Sequence, residues 1–258
     1  MRTVAQPDDG STSVEETPAP RSRRRLAALL TATAAGGLAL IAVPATQAGA
    51  VPSSGGCAAV SIITARASTE AAGEGITGAL VTQVVNASRQ TVSRASVSYP
   101  ASLNNYANSQ AQGVSAAKTQ LTNLVNSCPD TKVVLLGYSQ GANVVGDVLG
   151  GGGGGSLGAT TAPIAANIAS HVVAEVTFGD PRHVTNQAFD LGTSRRNGLF
   201  PRTNAQLQVL AGQASKIQAY CDTNDTFCDS GNSVQVHLSY LNRYQNQAAQ
   251  FILGKVGG

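Results

Sequence analysis

Residues 133–141 read V-V-L-L-G-Y-S-Q-G, an apolar run that ends in the pattern G-x-S-x-G. The run from 132 to 137 is short, β-branched and apolar, which is typical of a strand buried on both faces. A helix can follow Ser139, so the stretch predicts a strand, a sharp turn and a helix with the serine at the turn. Gly137 and Gly141 would relieve the crowding in such a turn. An ordinary glycine-rich turn is the alternative, but the flanking strand and helix favour a nucleophilic serine.

Strand and helix patterns alternate on both sides of this turn. Strands are predicted at 60–65, 95–99, 171–178 and 216–220, and helices at 76–88, 106–127 and 239–256. Such alternation predicts an α/β fold with a central parallel sheet that is covered on both faces. The glycine run at 150–155 offers no side chain to pack. We therefore expect it to form a flexible surface loop.

The first 50 residues have the pattern of an export signal. R-S-R-R-R at 21–25 leads into an apolar run at 26–43, which is followed by Pro44 and small residues up to Ala50. An apolar run rich in Ala, Gly and Thr that ends at a proline fits a cleaved signal peptide better than a transmembrane anchor. The arginine pair inside 21–25 also suggests a twin-arginine signal. We expect residues 1–50 to be removed and the protein to be secreted and extracellular.

The remaining chain, 51–258, is long enough for one domain with a core of its own. Residues 1–50 hold five of the 17 Lys and Arg and four of the 14 Asp and Glu, so the rest carries a formal charge of +2. A charge so close to zero gives no reason to expect nucleic acid or an anionic membrane as a partner. The rest of the chain has no apolar stretch long enough to span a bilayer. We expect a monomer without stable membrane insertion.

The four cysteines lie at 57, 128, 221 and 228. In an exported protein an even number of cysteines predicts disulfides, and three connectivities are possible. Cys221 and Cys228 flank a short polar loop, so pairing them with each other, and Cys57 with Cys128, is the most economical choice. Their spacing lacks the second ligand pair of a zinc site, and we expect no metal.

A nucleophilic serine needs an imidazole to take its proton and a carboxylate to orient that imidazole. On an α/β-hydrolase sheet the chain order is serine, acid, histidine. Of the three histidines, His171 opens a strand at the wrong end of the sheet, while His183 follows a strand at the correct end. His237 lies between the last predicted strand and the closing helix, where a loop could reach Ser139. The acid is left open between Asp180, which ends a strand, and the cysteine loop, which is favoured and contains or adjoins Asp222, Asp225 and Asp229.

Several short motifs follow one another along the chain. They are Cys57, A-R-A-S-T-E at 65–70, S-Y-P-A at 98–101, C-P at 128–129, G-Y-S-Q-G-A at 137–142, F-G-D-P at 178–181, and the 221–228 loop followed by His237. In this order they resemble the cutinase and acetylxylan esterase family over nearly all of 57–256. The resemblance implies a small, lidless α/β-hydrolase, a three-layer α/β/α sandwich, that acts as a serine carboxylic ester hydrolase.

The resemblance also assigns roles to residues. It implies a catalytic triad of Ser139, Asp225 and His237, and the disulfide pairing given above. The oxyanion hole maps onto the backbone N–H groups of Ser68 and Gln140, with the Ser68 hydroxyl assisting. No metal or organic cofactor is implied.

The chain departs from the family pattern at Ala67, where cutinases commonly have glycine. We expect Arg66 and Glu70 to form an ion pair that braces this loop, with little gain in stability because surface pairs are weak.

The family is divided between esters of long acyl chains and acetyl groups on xylan. The chain reads V-Q-V-H-L at 234–238, and an apolar rim suits an acyl chain because each buried methylene is worth about 0.8 kcal/mol. We therefore expect Val234, Val236 and Leu238 to contact substrate, with Phe227 and Leu103 as further rim residues. The alternative is that the valines face the core.

The expected substrate is an acyl ester, either lipid-like or a polyester such as cutin. Against this, Y-P at 99–100 and the stretch 178–183 look closer to acetylxylan esterases, so acetylated xylan is the alternative substrate. A secreted surface-binding protein that has lost the chemistry is a further alternative, although the complete set of serine, aspartate and histidine counts against it.

Overall fold

Six strands form a wholly parallel sheet in the order β2-β1-β3-β4-β6-β5. The computed structural model describes residues 56–257, so the predicted signal at 1–50 lies outside the described residues. The strands are β1 (Val60–Ala65), β2 (Val92–Ser96), β3 (Lys132–Tyr138), β4 (Val172–Phe178), β5 (Asp190–Leu191) and β6 (Ile217–Tyr220).

Helices cover both faces of this sheet. They are α1 (Gly78–Ala87), α2 (Tyr106–Ser127), α3 (Gln140–Gly150), α4 (Ala166–Ala169), α5 (Asn204–Ala211), α6 (Val234–His237) and α7 (Tyr240–Val256), with 3-10 turns at Gly75–Thr77, Gly155–Leu157 and Ala214–Lys216. One face carries α1 and α7, and the other carries α2, α3 and α5. The predicted α/β/α sandwich with a central parallel sheet is confirmed. Among residues 56–257, none of the helices is both long and apolar enough to cross a bilayer.

The strand β3 shows why an unbroken apolar run builds the centre of the sheet. Val133 and Leu135 pack with the α2 and α3 side of the core, while Val134 and Leu136 pack with the α1 and α7 side. Successive side chains of a strand point to opposite faces. Because both faces are covered by helices, each position in the run must be apolar, and the alternation seen in half-exposed strands is lost.

The functional end of the sheet follows from the strand order. The chain moves outward from β1 to β2 and then returns past β1 to start β3. Parallel sheets have a crevice at such a reversal, outside the carboxyl ends of the strands. The loop with Ser68 follows β1 and the turn with Ser139 follows β3. The fold therefore brings these two residues to the same crevice.

Two strand predictions differ from the structure. The strand predicted at 95–99 is observed at Val92–Ser96, because Val97 and Tyr99 are buried beyond the strand end and extend the apolar pattern past it. The strand β5 was not predicted. It is two residues long, pairs with β6 and forms one edge of the sheet, so it is too short to leave a periodic signal.

The expectation of a flexible surface loop at 150–155 is wrong for most of the run. Gly150 to Gly153 are buried. Gly152 N and O pair with Thr161 at 3.0 and 2.9 Å, and Gly153 O accepts from Arg182 Nη2 at 2.9 Å. A Cβ at Gly153 would lie 1.9 Å from Ala159 O. Here glycine allows two backbone segments to approach closely over a buried arginine.

Candidate active site

Ser139 occupies a sharp turn between β3 and α3. Its φ and ψ are 54° and −119°, a combination that residues other than glycine seldom adopt. Its N–H donates to Phe178 O at 2.8 Å and its carbonyl accepts from Asn143 N at 3.1 Å. The serine is thus tied to β4 on one side and to the first turn of α3 on the other. It lies at the positive end of an 11-residue helix, which favours developing negative charge.

The glycines on either side of Ser139 leave no room for a side chain. A Cβ at Gly137 would lie 2.5 Å from Gly141 O, and a Cβ at Gly141 would lie 1.9 Å from Ala65 O. The first contact arises within the turn itself. The second arises because the start of α3 presses against the end of β1. The steric role predicted for both glycines therefore agrees with the structure.

His237 ends the short helix α6 and contacts Asp225. Its Nδ1 lies 2.8 Å from Asp225 Oδ2, and both side chains are buried. Asp225 Oδ1 accepts from Phe227 N at 2.7 Å and from Cys228 N at 3.0 Å. Burial acts to raise the pKa of Asp225, but these hydrogen bonds, above all the one with His237, outweigh it and lower that pKa. Because Nδ1 is engaged by the carboxylate, Nε2 is the ring nitrogen left for a reaction partner.

Ser139 and His237 line one cavity of about 370 Å³ at the carboxyl end of the sheet. The full lining is Ala67, Ser68, Thr69, Leu103, Tyr106, Tyr138, Ser139, Pro181, Leu199, Phe200, Phe227, Val234, His237 and Leu238. A mainly apolar cavity with a few convergent polar groups is the usual form of a ligand site. The predicted nucleophile and base therefore share a cavity that could hold a substrate.

The loop that carries Asp225 is closed by a disulfide between Cys221 and Cys228. A second disulfide joins Cys57, just before β1, to Cys128 at the end of α2. This is the pairing that the sequence favoured. Within the part of the chain that the structure describes, no group of three or more His, Cys, Asp and Glu side chains is arranged to hold a metal ion.

The other candidate acids have other partners. Asp180 Oδ2 accepts from Arg202 Nη1 at 2.5 Å. Asp222 Oδ1 accepts from Thr193 N at 2.9 Å and from Tyr244 OH at 2.8 Å. Asp229 is fully buried, and its donors are Ser194 Oγ, Arg195 N, Arg196 N and Asn224 N, at 2.7 to 2.9 Å. The structure thus brings Asp225, and not Asp180, to His237.

His183 lies in a separate polar cluster. Its Nε2 is 3.1 Å from Ser194 Oγ and its Nδ1 is 3.6 Å from Asp190 Oδ1. Burial lowers the pKa of His183 and raises the pKa of Asp190 to about 6. Ser194 Oγ is also 2.9 Å from Asp229 Oδ1. The cluster joins the loop around Ser194 to the disulfide loop. The Ser194 hydroxyl already has His183 and Asp229 as hydrogen-bond partners.

Ser68 and Gln140, predicted for the oxyanion hole, contact each other beside Ser139. Ser68 Oγ donates to Gln140 Oε1 at 3.1 Å. The side-chain Nε2 of Gln140 donates to Ser102 O at 3.3 Å. The side-chain amide of Gln140 therefore links the loop after β1 to the loop after β2. Ser68 lines the cavity, and Gln140 is the first residue of α3.

The expected ion pair between Arg66 and Glu70 is wrong. Arg66 Nε donates to the backbone carbonyl of Glu70 at 2.9 Å, and its Nη2 donates to Tyr99 O at 2.6 Å. The Glu70 carboxylate accepts from Ala67 N at 2.6 Å and from Ile76 N at 2.7 Å. The backbone N–H groups of a tight loop need acceptors, and here the Glu70 carboxylate accepts from them instead of pairing with Arg66. Ala67 lacks the positive φ that would require glycine.

The rim of the cavity is apolar and exposed. Five large apolar side chains are exposed in the part of the chain from 56 to 257, and four of them line this cavity, namely Leu103, Leu199, Val234 and Leu238. The fifth, Val209, lies on α5. Single exposed apolar residues are common, but a contiguous group usually marks a contact surface.

Of the tentative substrate contacts, Val234 and Leu238 line the cavity and Val236 does not. The prediction for Val236 fails because the segment is helical rather than extended. On a helix, residues three and four positions apart share a face, so Val234 shares its face with His237 and Leu238. Leu103 and Phe227, the further rim candidates, both line the cavity.

Three residues around His237 were not predicted. Tyr138 OH donates to His237 O, and Tyr240 OH donates to Asp225 Oδ2 at 2.7 Å. A Cβ at Gly179 would lie 2.7 Å from the imidazole. The glycine in F-G-D-P, directly after a strand, was a signal that the backbone approaches another group there. The tyrosines gave no such signal, because aromatic residues near strand and helix ends most often belong to the core.

Comparison with known proteins agrees with this geometry. The model of the Cutinase family matches residues 56–256. The chain is 38% identical over 205 residues to an acetylxylan esterase of Hypocrea jecorina, covering 76% of this chain and 67% of that protein. It is 32% identical over 209 residues to Cutinase 11 of Verticillium dahliae, covering 78% and 70%. The solved catalytic core domain of acetyl xylan esterase from Trichoderma reesei is similar with a TM-score of 0.72 and 36% identity, over 77% of this chain and 99% of that chain.

Proposed function

Because this chain belongs to the cutinase family of carboxylic ester hydrolases, we propose that it cleaves acyl esters or polyesters such as cutin with Ser139, His237 and Asp225 as catalytic triad. The observation that carries the proposal is the cavity that Ser139 shares with His237, whose Nδ1 is held 2.8 Å from buried Asp225. A complete set of nucleophile, base and orienting acid at one cavity argues against a binding protein that has lost the chemistry.

In the first half of the reaction, His237 Nε2 takes the Ser139 hydroxyl proton while Oγ attacks the ester carbonyl carbon. The negative charge on the carbonyl oxygen is stabilised by the N–H groups of Gln140 and Ser68, at the positive end of α3. Each such donor is typically worth about 3–4 kcal/mol in the transition state. The tetrahedral intermediate collapses, the C–O bond to the alcohol breaks, and the leaving oxygen takes the proton from His237. The product is an acyl-enzyme on Ser139.

In the second half, water replaces the alcohol. His237 removes a proton from water, the resulting hydroxide attacks the acyl carbon, and the same two N–H groups stabilise the second oxyanion. Collapse releases the acid, and His237 returns the proton to Ser139. Throughout, Asp225 keeps the imidazole in the tautomer with the proton on Nδ1 and stabilises its protonated form. The reaction needs no other group.

The exposed apolar rim supports an acyl chain as the preferred acid part of the ester. Leu199, Val234 and Leu238 would lie along a chain that leaves the reacting carbonyl. An acetyl group has a single methyl and would leave most of these side chains in water. Because each buried methylene adds about 0.8 kcal/mol, the rim should discriminate by chain length.

Acetylated xylan is the second candidate substrate. The observation in its favour is the 38% identity to a protein named acetylxylan esterase, which exceeds the 32% identity to Cutinase 11. We keep the acyl ester as the first choice because it accounts for the four exposed apolar side chains at the cavity.

We also infer that the protein works outside the cytosol as a monomer. The two disulfides support this location, because such bonds persist in oxidising compartments. The signal pattern at 1–50 supplies the export route. Residues 51–258 are then the catalytic domain.

The test compares kcat/KM on p-nitrophenyl esters of increasing acyl length with acetate release from acetylated xylan. Purified protein from residue 51 is the enzyme, and Ser139→Ala is the blank. A maximum at medium chain length supports the cutinase-type activity. Dominant acetate release would replace it with the acetylxylan activity, and equal rates for enzyme and blank would overturn the serine mechanism.

A further inference from the structure

Asp225 Oδ2 accepts two hydrogen bonds, and the second comes from outside the predicted triad. His237 Nδ1 donates at 2.8 Å and Tyr240 OH donates at 2.7 Å. Asp225 is fully buried. With Phe227 N and Cys228 N on Oδ1, the carboxylate has four donors and no exposed surface. Tyr240 is the only side chain other than His237 within this set.

The direction of the Tyr240 bond follows from its surroundings. The hydroxyl oxygen accepts from Asp222 N at 2.9 Å. Two acceptors compete for its proton, the Asp225 carboxylate at 2.7 Å and the disulfide sulfur of Cys228 at 3.2 Å. The proton points to Asp225, because an ionised carboxylate is a much stronger acceptor than a sulfur. Burial, followed by the charge of Asp225, raises the pKa of Tyr240 well above its usual value. The residue therefore keeps this proton at every pH at which the enzyme would work.

The position of Tyr240 in the fold makes the contact rigid. Tyr240 is the first residue of α7, and its ring is fully buried against Tyr138 and Phe178. The plane of this ring is perpendicular to that of the His237 imidazole, and the two ring centroids are 6.4 Å apart. His237 lies three residues earlier, at the end of α6. The long helix α7 thus fixes Tyr240 relative to the base, while the disulfide loop presents the acid to both.

We propose that Tyr240 is a positioning residue of this site: its hydroxyl fixes the carboxylate of Asp225 and shares its negative charge, and thereby limits the basicity of His237. This inference rests on the triad of the proposed function. A carboxylate with one donor fewer holds more charge for its remaining partners. Without the Tyr240 hydroxyl, Asp225 would stabilise the protonated imidazole more strongly, and His237 would be the one donor left to fix the position of Oδ2.

The variant Tyr240→Phe removes the hydroxyl and keeps the ring. We expect kcat to fall about 10-fold with KM within twofold, because a misplaced base affects the transition state and not substrate binding. The acid limb of the pH profile of kcat/KM should move up by about 0.5 unit, because the imidazole holds its proton more tightly. Unchanged kcat and an unchanged acid limb in folded Tyr240→Phe would overturn the proposal.

Tyr244→Phe is the matched control. Tyr244 is one helical turn further along α7, stacks on Tyr240, and donates its hydroxyl to Asp222 rather than to Asp225. Its loss should leave kcat and the acid limb unchanged. The other titratable groups around Asp225 and His237 are the same in both variants. They are Tyr138, Glu70, His183, Asp222, Asp229 and Arg243. A shift common to both variants would assign the effect to Asp222 and overturn the proposal.

Two further measurements test the role of Tyr240 independently of the folding of Tyr240→Phe and of the proposed esterase function. In an Asp225→Asn background, Tyr240→Phe should no longer shift the acid limb, since the tyrosine acts through the carboxylate. In the unchanged protein, proton NMR should show a cross-relaxation peak between the His237 Nδ1 proton and a slowly exchanging Tyr240 hydroxyl proton. Its absence would overturn the proposal even if Tyr240→Phe did not fold. An active Ser139→Ala variant would instead overturn the proposed function itself.

Discussion

Arg202 Nη1 lies 2.5 Å from Asp180 Oδ2, and in this buried ion pair the Asp180 carboxylate has an arginine as its partner, whereas Asp225 has His237. Arg202 also contacts Asp147 through Nη2 at 3.2 Å, and Arg182 Nη1 contacts Asp147 at 2.8 Å. Asp180 thus belongs to a charge network between the sheet and α3, although it lies at the end of β4 where a catalytic acid would be expected. Asp180 and Asp225, the two candidate acids of the sequence, are therefore distinguished by their partners, Arg202 and His237.

Asp225→Asn and Asp180→Asn should therefore affect different properties. In Asp225→Asn the imidazole loses its orienting carboxylate, and kcat should fall by about 10³–10⁴-fold. In Asp180→Asn the buried Arg202 loses a partner, so the free energy of unfolding should fall by about 3–5 kcal/mol while kcat stays within a few-fold. Kinetics on a soluble ester and urea unfolding of both variants check this. An inactive Asp180→Asn with a fully active Asp225→Asn would reverse the choice of acid.

The rim should control acyl-chain preference. Leu199→Ser and Leu238→Ser each replace an exposed apolar side chain that lines the cavity. We expect kcat/KM on an octanoate ester to fall about 4- to 15-fold per variant, since one to two methylenes of contact are lost. The value on the acetate ester should stay unchanged. Val209→Ser is the control, because Val209 is exposed on α5 outside the cavity lining. Equal losses on both esters would mean that the rim does not contact the acyl chain.

Glu175 should make the protein less stable as the pH rises. Burial raises the pKa of Glu175 from 4.5 to about 8, against the lowering effect of Arg202. Between these two values the unfolded chain releases a proton that the folded chain retains. The stability contributed by the neutral form is therefore complete below pH 4.5 and is lost as the pH rises towards 8, by up to about 1.4 kcal/mol per pH unit.

Glu175→Gln removes this pH dependence and keeps the shape of the side chain. We expect the variant to be more stable than the parent at pH 8 by a few kcal/mol and equally stable at pH 4. Urea unfolding at pH 4, 6 and 8 measures the difference, and Asp130→Asn, at an exposed position, is the control. A constant difference between variant and parent at all three pH values would show that Glu175 does not titrate in this range.

Gly141→Ala tests the close approach of α3 to β1. The new Cβ would lie 1.9 Å from Ala65 O, so the start of α3 would have to move away from the end of β1. We expect a loss of about 3 kcal/mol or more in the free energy of unfolding and loss of esterase activity. Gly254→Ala, in α7 with no atom outside its own helix backbone and its chain neighbours within 4 Å of the new Cβ, should instead gain up to about 1 kcal/mol. Similar unfolding midpoints for both variants would contradict the steric account.

The sequence predicted the fold where the signal is local. An apolar run such as 132–137 is typical of a strand with two covered faces, and the observed β3 confirms it. The amphipathic pattern of 106–127 matches α2 over its whole length. Where a residue packs outside a regular element, as Tyr99 does beyond β2, the pattern misplaced the boundary. The glycine run at 150–155 was misjudged because its burial depends on distant partners such as Arg182 and Thr161.

By itself, the sequence determined the turn around Ser139, the alternation of strands and helices, and the short list of acids and bases. These follow from contacts within a few residues, which local sterics and periodicity control. Only the tertiary structure decided which acid meets His237, which side of 234–238 faces the cavity, and that Tyr240 joins Asp225. Asp225 and His237 are 12 residues apart in the chain, and their meeting depends on which other carboxylates are already held by arginines and backbone N–H groups. That competition is settled by packing across the whole sheet, which no local pattern records.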